Sequence, residues 1–164
     1  MTIGVGLLGL GTVGAGVADI LVNPSGRHPL VEQLELRRVA VRDLGRARPV
    51  ALGEHLLSTD PEAVVDDPAV EIVVELIGGL EPARSLILRA IAAGKSVVTA
   101  NKAVIARYGQ EIAAAAAERG VYVLIEAAVG GGIPIIEPLK QSLGANRIQR
   151  VSGIINGTTN YILS

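Results

Sequence analysis

The sequence predicts an α/β fold, a parallel sheet with helices wound onto both of its faces. Three observations carry the prediction. Strand-like and helix-like patterns alternate along the chain, and parallel strands need a crossover, usually helical, between each pair. Of the 164 residues, 49% are apolar and only 19% charged, enough for a core and too apolar for a disordered chain. The third is a glycine pattern, Gly9-Leu10-Gly11-Thr12-Val13-Gly14, set between the apolar run Ile3 to Leu8 and the helix-like run Ala15 to Val22. In that setting the first glycine permits a tight turn, the second lets phosphates approach bare backbone, and the third lets helix pack on strand. The helix behind it offers free N–H groups and the positive end of its dipole to an anion. The turn therefore predicts a dinucleotide pyrophosphate site, and the fold class becomes a Rossmann-type doubly wound sheet.

Ile3 to Leu8 is the first strand and about Thr12 to Leu21 the first helix, ended by the breakers Asn23-Pro24-Ser25-Gly26. A second strand spans about Leu34 to Val41. The polar, proline-bearing stretch Arg42 to Thr59 follows, and Asp60-Pro61-Glu62 reads as a helix start. Glu71 to Leu76 is a short buried strand closed by Gly78-Gly79, and Pro82 opens a helix to about Ala93 that Gly94 stops. Lys95 to Thr99 is the fourth strand. Tyr108 to Arg119 is an alanine-rich helix ended by Gly120, and Val121 to Ile125 is the fifth strand. These elements make one nucleotide-binding unit over residues 1–132. Over residues 133–164, Pro134 to Leu143 reads as a helix, Arg147 to Ile155 as a strand and Thr158 onward as a further helix. We expect these to be the first elements of a truncated α+β substrate domain, because the last helical pattern reaches Ser164 without a stop signal.

Bulk properties exclude several functions. Net charge is −1 with no basic run, and Tyr108, Tyr122 and Tyr161 are the only aromatic residues, so neither a phosphate-backbone partner nor a base-stacking surface is expected. There is no cysteine, which removes disulfides, thiolate metal sites and thiol nucleophiles and fits a reducing cytoplasm. The apolar first 22 residues lack a basic n-region and carry six glycines and Asp19, which suits a buried strand-turn-helix rather than a signal or membrane segment. We expect a cytoplasmic, soluble protein.

In an open parallel sheet ligands collect beyond the carboxyl ends of the strands. After the second strand come Arg42 and Asp43. An acid there accepts from ribose hydroxyls and an arginine neutralises a 2′-phosphate, so NAD and NADP both stay open, with a lean to NADP because Arg42 comes first. The 28-residue offset from Gly14 exceeds the usual spacing of about 20, and residues 23–32 read as an inserted loop. After the fourth strand comes Thr99-Ala100-Asn101-Lys102. A lysine at that strand end can donate to a substrate oxygen, and in the first turn of a helix its charge opposes the dipole, so it needs another partner. Gly94-Lys95-Ser96 resembles the tail of a phosphate loop, but Arg89 stands where the earlier glycine is required. Glu126-Ala127-Ala128-Val129-Gly130-Gly131-Gly132-Ile133-Pro134 reads either as an oxygen-lined cation loop or as a hinge, and the residues alone favour the hinge. His28 and His55 stand in polar loops with no second ligand at metal spacing, and Asn156-Gly157-Thr158 has only the form of a glycosylation acceptor.

Taken in order, the glycine turn, Val41-Arg42-Asp43, Glu75-Leu76-Ile77-Gly78-Gly79, Val98-Thr99-Ala100-Asn101-Lys102, the Glu126 to Pro134 loop and Gly153-Ile154-Ile155-Asn156-Gly157-Thr158-Thr159-Asn160-Tyr161-Ile162-Leu163 closely resemble the amino-terminal part of homoserine dehydrogenases. The resemblance spans essentially the whole chain. It implies NAD(P)-dependent interconversion of L-homoserine and L-aspartate 4-semialdehyde, in the branch leading to threonine and methionine. By the same resemblance Leu10, Thr12 and Val13, with the turn glycines Gly9, Gly11 and Gly14, line the pyrophosphate. Arg42 meets the 2′-phosphate of NADP, and Thr99 and Lys102 lie along the nicotinamide and substrate. A sodium-type monovalent cation is implied in the loop at Glu126, Val129, Gly131 and Ile133, largely through backbone oxygens, against the hinge preference. The family's main proton-transfer lysine, its aspartate partner and its dimer-forming sheet lie beyond the Asn-Gly-Thr-Thr-Asn motif. The chain is therefore expected to bind cofactor with little turnover, Lys102 assisting, and the full-length protein to be a homo-oligomer. A semialdehyde dehydrogenase would need a cysteine nucleophile, and a short-chain dehydrogenase a lysine four residues after Tyr108, where Ile112 stands. The reading from another class is a non-catalytic NAD(P)-sensing module.

Overall fold

The strand that begins the chain becomes the middle of its sheet. A computed structural model describes residues 2–153. Its strands are β1 (Ile3–Leu8), β2 (Leu34–Ala40), β3 (Leu57–Ser58), β4 (Ile72–Glu75), β5 (Ser96–Thr99) and β6 (Val123–Leu124), and its α-helices are α1 (Thr12–Val22), α2 (Pro61–Asp66), α3 (Ala83–Ala92) and α4 (Lys102–Arg119). All neighbouring strands pair in parallel, in the order β3-β2-β1-β4-β5-β6. Strand order reverses beside β1, which pairs with β2 on one side and β4 on the other. That reversal is the crevice in which such sheets take ligands.

Side-chain alternation divides the core in two. Leu7, Val39 and Val74 pack with Ala18 of α1 on one face. Their chain neighbours Leu8, Ala40 and Val73 pack with α2, α3 and α4 on the other, through Val64, Ile87 and Ile112 among others. Leu7, Leu8, Ile87 and Ile112 are fully buried, and each such side chain stabilises the fold by about 1.5–3 kcal/mol. The winding is lopsided, one helix against three. On the α1 face, beyond the cover of that helix, Leu124 of β6 remains exposed.

The helix signals explain most boundaries. Asp60 caps α2, its Oδ1 accepting from the amides of Glu62 (2.9 Å) and Ala63 (3.1 Å), with Pro61 in the first turn. Gly94 and Gly120 stop α3 and α4 with φ of +76° and +65°.

Four expectations change. The polar stretch after Val41 contains a sixth strand, β3, whose two residues are too short to show a pattern. α4 begins at Lys102 rather than Tyr108, because Asn101 caps it and Val104 joins the buried face. The helix expected over Pro134 to Leu143 is shorter, helical over 136–142, with the part Pro138–Ser142 wound wider than an α-helix. No strand forms over 147–153, which has no ladder partner among the described residues. The rest of that expected strand, the helix from Thr158 and the Asn156 tripeptide lie outside the described residues.

Candidate functional site

The three glycines of the turn do three different things, and the structure separates them. Gly9 has φ +103°, a left-handed conformation, and a Cβ there would lie 2.9 Å from the Leu76 carbonyl oxygen. Gly14 is buried in α1, and a Cβ there would lie 2.2 Å from the Gly9 carbonyl oxygen. Gly11 is the opposite case, exposed, with nothing within 4 Å of where a Cβ would stand. Its bare backbone borders two adjoining cavities. One, of about 290 Å³, lies between the turn, the end of β2 and Leu76-Ile77. The other, of about 420 Å³, lies between the start of α1 and residues 46–50.

Gly11 is also the residue that caps α1, and it brings no side chain to the task. The first-turn amides of Thr12, Val13 and Gly14 therefore have no capping side chain, and no acid stands in that turn. A dipole end, open amides and a glycine that leaves room for phosphate together fit a dinucleotide. The side chains of Thr12 and Val13 are exposed at the same edge.

Charge on the β2 side agrees. Arg27, Arg37, Arg38, Arg84 and Arg89 each pair with a carboxylate. Among the described residues Arg42, Arg46 and Arg48 do not, and all three line the smaller cavity. The Arg48 guanidinium donates to the carbonyls of Asp43, Leu44 and Arg46, which folds the segment against the cleft. Asp43 Oδ1 accepts from the Gly45 amide at 2.9 Å, so this carboxylate shapes the loop. Sequence reasoning missed Arg46 and Arg48, which carry no pattern of their own.

On the other half of the sheet the strand ends are closed by a buried polar network. Glu75, at the end of β4, has 0% of its surface exposed. Its Oε1 accepts from the amides of Ile77 (2.8 Å) and Gly78 (3.4 Å), and its Oε2 accepts from the Thr99 hydroxyl at 2.6 Å. Thr99 Oγ1 in turn accepts from the Asn101 amide at 3.0 Å. Asn101 donates through Nδ2 to the Gly79 carbonyl at 2.7 Å and caps α4 by accepting from the Val104 amide at 3.2 Å. The Thr99 side chain is thus engaged internally, while Lys102 stands exposed just beyond the end of β5, where the sequence reading put it, and in the first turn of α4. The signal for Glu75 was present: a carboxylate at the end of the apolar run Ile72-Val73-Val74.

The glycine loop gives a mixed result. Both oxygens of the Glu126 carboxylate accept backbone amides, from Ile135 (2.6 Å) and Ile136 (3.0 Å) on one and Glu137 (2.8 Å) on the other. These bonds, that from Ile135 foremost, hold the carboxyl below its usual range. The main-chain carbonyl of Glu126 accepts from the Val129 amide. The carbonyls of Val129, Gly131 and Ile133 accept no hydrogen bond among the described residues, and Gly130 and Gly131 adopt φ of +73° and +64°. No cluster of three or more acidic, histidine or cysteine side chains is placed to hold a metal among the described residues.

Comparison with known proteins agrees with this architecture. The family model described as "Homoserine dehydrogenase, NAD binding domain" matches residues 9–126, and "Homoserine dehydrogenase" matches residues 134–164. The chain is 66% identical over 164 residues to a homoserine dehydrogenase of Synechocystis sp., covering 100% of this chain and 38% of the relative. It is 44% identical to that of Bacillus subtilis, over 98% of this chain and 37% of the relative. Among solved structures, a homoserine dehydrogenase from Thiobacillus denitrificans superposes with a TM-score of 0.88 at 54% identity, over 100% of this chain and 38% of that one. A hyperthermophilic archaeal homoserine dehydrogenase in complex with NADPH gives 0.72 at 26% identity, over 88% of this chain and 50% of that one. The chain spans about 38% of the length of the first of these relatives.

Proposed function

The chain belongs to the homoserine dehydrogenase family, and from that premise we propose that it supplies the cofactor-binding half of an NAD(P)-dependent enzyme interconverting L-homoserine and L-aspartate 4-semialdehyde. The observation that carries the reading is the uncapped start of α1, where Gly11 leaves both backbone and space open to a pyrophosphate. Bound NAD(P) supplies the hydride acceptor or donor. The protein's part is to bind and orient it: the amides of Thr12, Val13 and Gly14 neutralise the pyrophosphate, with Leu10 and Gly9 shaping its seat. Arg42 meets a 2′-phosphate, which favours NADP over NAD. Lys102, exposed at the end of β5, lends a proton or a positive charge to the substrate oxygen, and the rest of the acid–base work falls to residues of the longer family members.

Residues 1–132 form the nucleotide domain in this reading, and 133–164 begin the substrate domain. The open carbonyls of Val129, Gly131 and Ile133, with the main-chain oxygen of Glu126, suit a sodium-type cation at the junction. The full protein works as a homo-oligomer in the cytoplasm. Among the described residues no helix is long and apolar enough to cross a membrane.

Titration of NADPH and NADH against the wild type and Arg42→Ala tests the cofactor assignment. We expect Arg42→Ala to lose on the order of 10–100-fold in NADPH affinity, the worth of a charge-assisted contact, with NADH unchanged. Equal NADPH affinity in both proteins would sink the role of Arg42. Failure of the wild type to bind either nucleotide would sink the cofactor reading itself.

A further inference from the structure

Glu75 is the one fully buried carboxylate among the described residues, and the proposed reaction gives it no task. No cation pairs with it there. Its surroundings are donors only: two amides on Oε1 and the Thr99 hydroxyl on Oε2. Thr99 Oγ1 accepts from the Asn101 amide while its hydroxyl donates to Glu75, so the three residues form one chain of hydrogen bonds. An apolar residue would fill this position at lower cost to the core. What the carboxylate provides is an arrangement.

That arrangement grips one segment from two sides. Gly78 and Gly79 leave β4 with φ of +78° and +77°, two consecutive left-handed residues that do not brace each other. Glu75 holds the amides of Ile77 and Gly78, while Asn101 holds the carbonyl of Gly79. The Thr99 hydroxyl joins the two grips, and the same Asn101 starts α4, so the position of Lys102 depends on it as well. Leu76 and Ile77, the first residues of the segment, line the smaller cavity beside the glycine turn. In a sheet of this order the β1–β3 half takes the adenosine and the β4–β6 half takes the nicotinamide.

We propose that Glu75, Thr99 and Asn101 form a buried clasp that positions the Gly78-Gly79 segment and the start of α4 for the nicotinamide half of the cofactor, an inference that rests on the dinucleotide reading. Glu75 and Thr99 act in this clasp as positioning residues, through the hydrogen bonds their side chains make within the protein. The clasp makes the two halves of the ligand separable by mutation.

The test compares NADPH, followed by its fluorescence, with 2′,5′-ADP, followed by calorimetry, which carries the adenine half and its 2′-phosphate but no nicotinamide. For Glu75→Gln we expect NADPH affinity to fall roughly tenfold and 2′,5′-ADP affinity to stay within about twofold of wild type. Thr99→Val should repeat the split, and Thr99→Ser, which keeps the hydroxyl, should restore NADPH binding. The Thr99 pair carries the same test if Glu75→Gln does not fold. Equal weakening of both ligands, or unchanged NADPH binding in Glu75→Gln and Thr99→Val, overturns the clasp. Wild type that binds 2′,5′-ADP and NADPH supports the premise independently, whereas wild type that binds neither overturns the dinucleotide reading and the clasp with it.

Discussion

Two of the helices that begin at the carboxyl edge of the sheet, α1 and α4, do so in opposite states. α1 begins at a glycine with no capping side chain and an open space in front of it. α4 begins at Asn101, whose side chain caps the helix and grips the Gly78-Gly79 segment. The first leaves its hydrogen-bonding capacity for something outside the protein, and the second consumes it within the protein. The contrast teaches how the cleft divides its work. An anion is held at α1 by backbone groups that need only be uncovered, whereas the β4–β5 side is shaped in advance by buried side chains.

The comparison breaks most completely at the glycines. Gly14→Ala puts a methyl group against the Gly9 carbonyl, so we expect a loss of at least about 2 kcal/mol of stability and no measurable NADPH binding. Gly11→Ala meets nothing, so its thermal or denaturant midpoint should stay within about 0.5 kcal/mol of wild type while NADPH affinity falls about tenfold. If Gly11→Ala binds as wild type does, the mouth of α1 is not the anion site. Next in size is Asn101→Ala. Loss of the cap and of the bond to Gly79 should cost about 1–2 kcal/mol in urea unfolding, and an unchanged midpoint would show that α4 is not self-sealed.

The smallest effect is local and depends on pH. Amide hydrogen bonds, that of Ile135 first, lower the Glu126 carboxyl in the folded protein below its ordinary value of about 4.3. Its contribution is therefore complete above that value and fades as pH falls through the depressed folded one. We expect hydrogen exchange at Ile135, Ile136 and Glu137 to lose protection, relative to neighbouring helices, below about pH 4. In Glu126→Gln that pH dependence should vanish. Unchanged relative protection in wild type at pH 3 would refute the link.

Much of this contrast was legible in the residues. The α1 mouth was, because a glycine turn between an apolar strand and a helix leaves few physical alternatives, and Gly94 and Gly120 marked their helix ends for the same local reason. The α4 mouth was half legible. Lys102 was placed beyond the end of the fourth strand, yet the helix was begun at Tyr108, whereas the Asn101 cap and the burial of Val104 start it at Lys102. β3 was invisible, since two residues carry no periodicity. Glu75 was visible as a charge in an apolar run but not as a clasp, because its partners Thr99 and Asn101 stand 24 and 26 positions away, and only the β4–β5 ladder brings them together.

The position of β1 also sets an order of events in time. Among the strands of this sheet it is synthesised before the others, yet it lies between β2 at residues 34–40 and β4 at 72–75, with Leu7 and Leu8 each fully buried on opposite faces. Until β4 at residues 72–75 is available, one rim of β1 has no ladder and its apolar side chains lack part of their cover. The glycine turn at its end can therefore acquire its folded surroundings only after Leu76, whose carbonyl closes on Gly9, has been made. A site whose pattern is complete at Gly14 is finished by a segment synthesised more than 60 residues later.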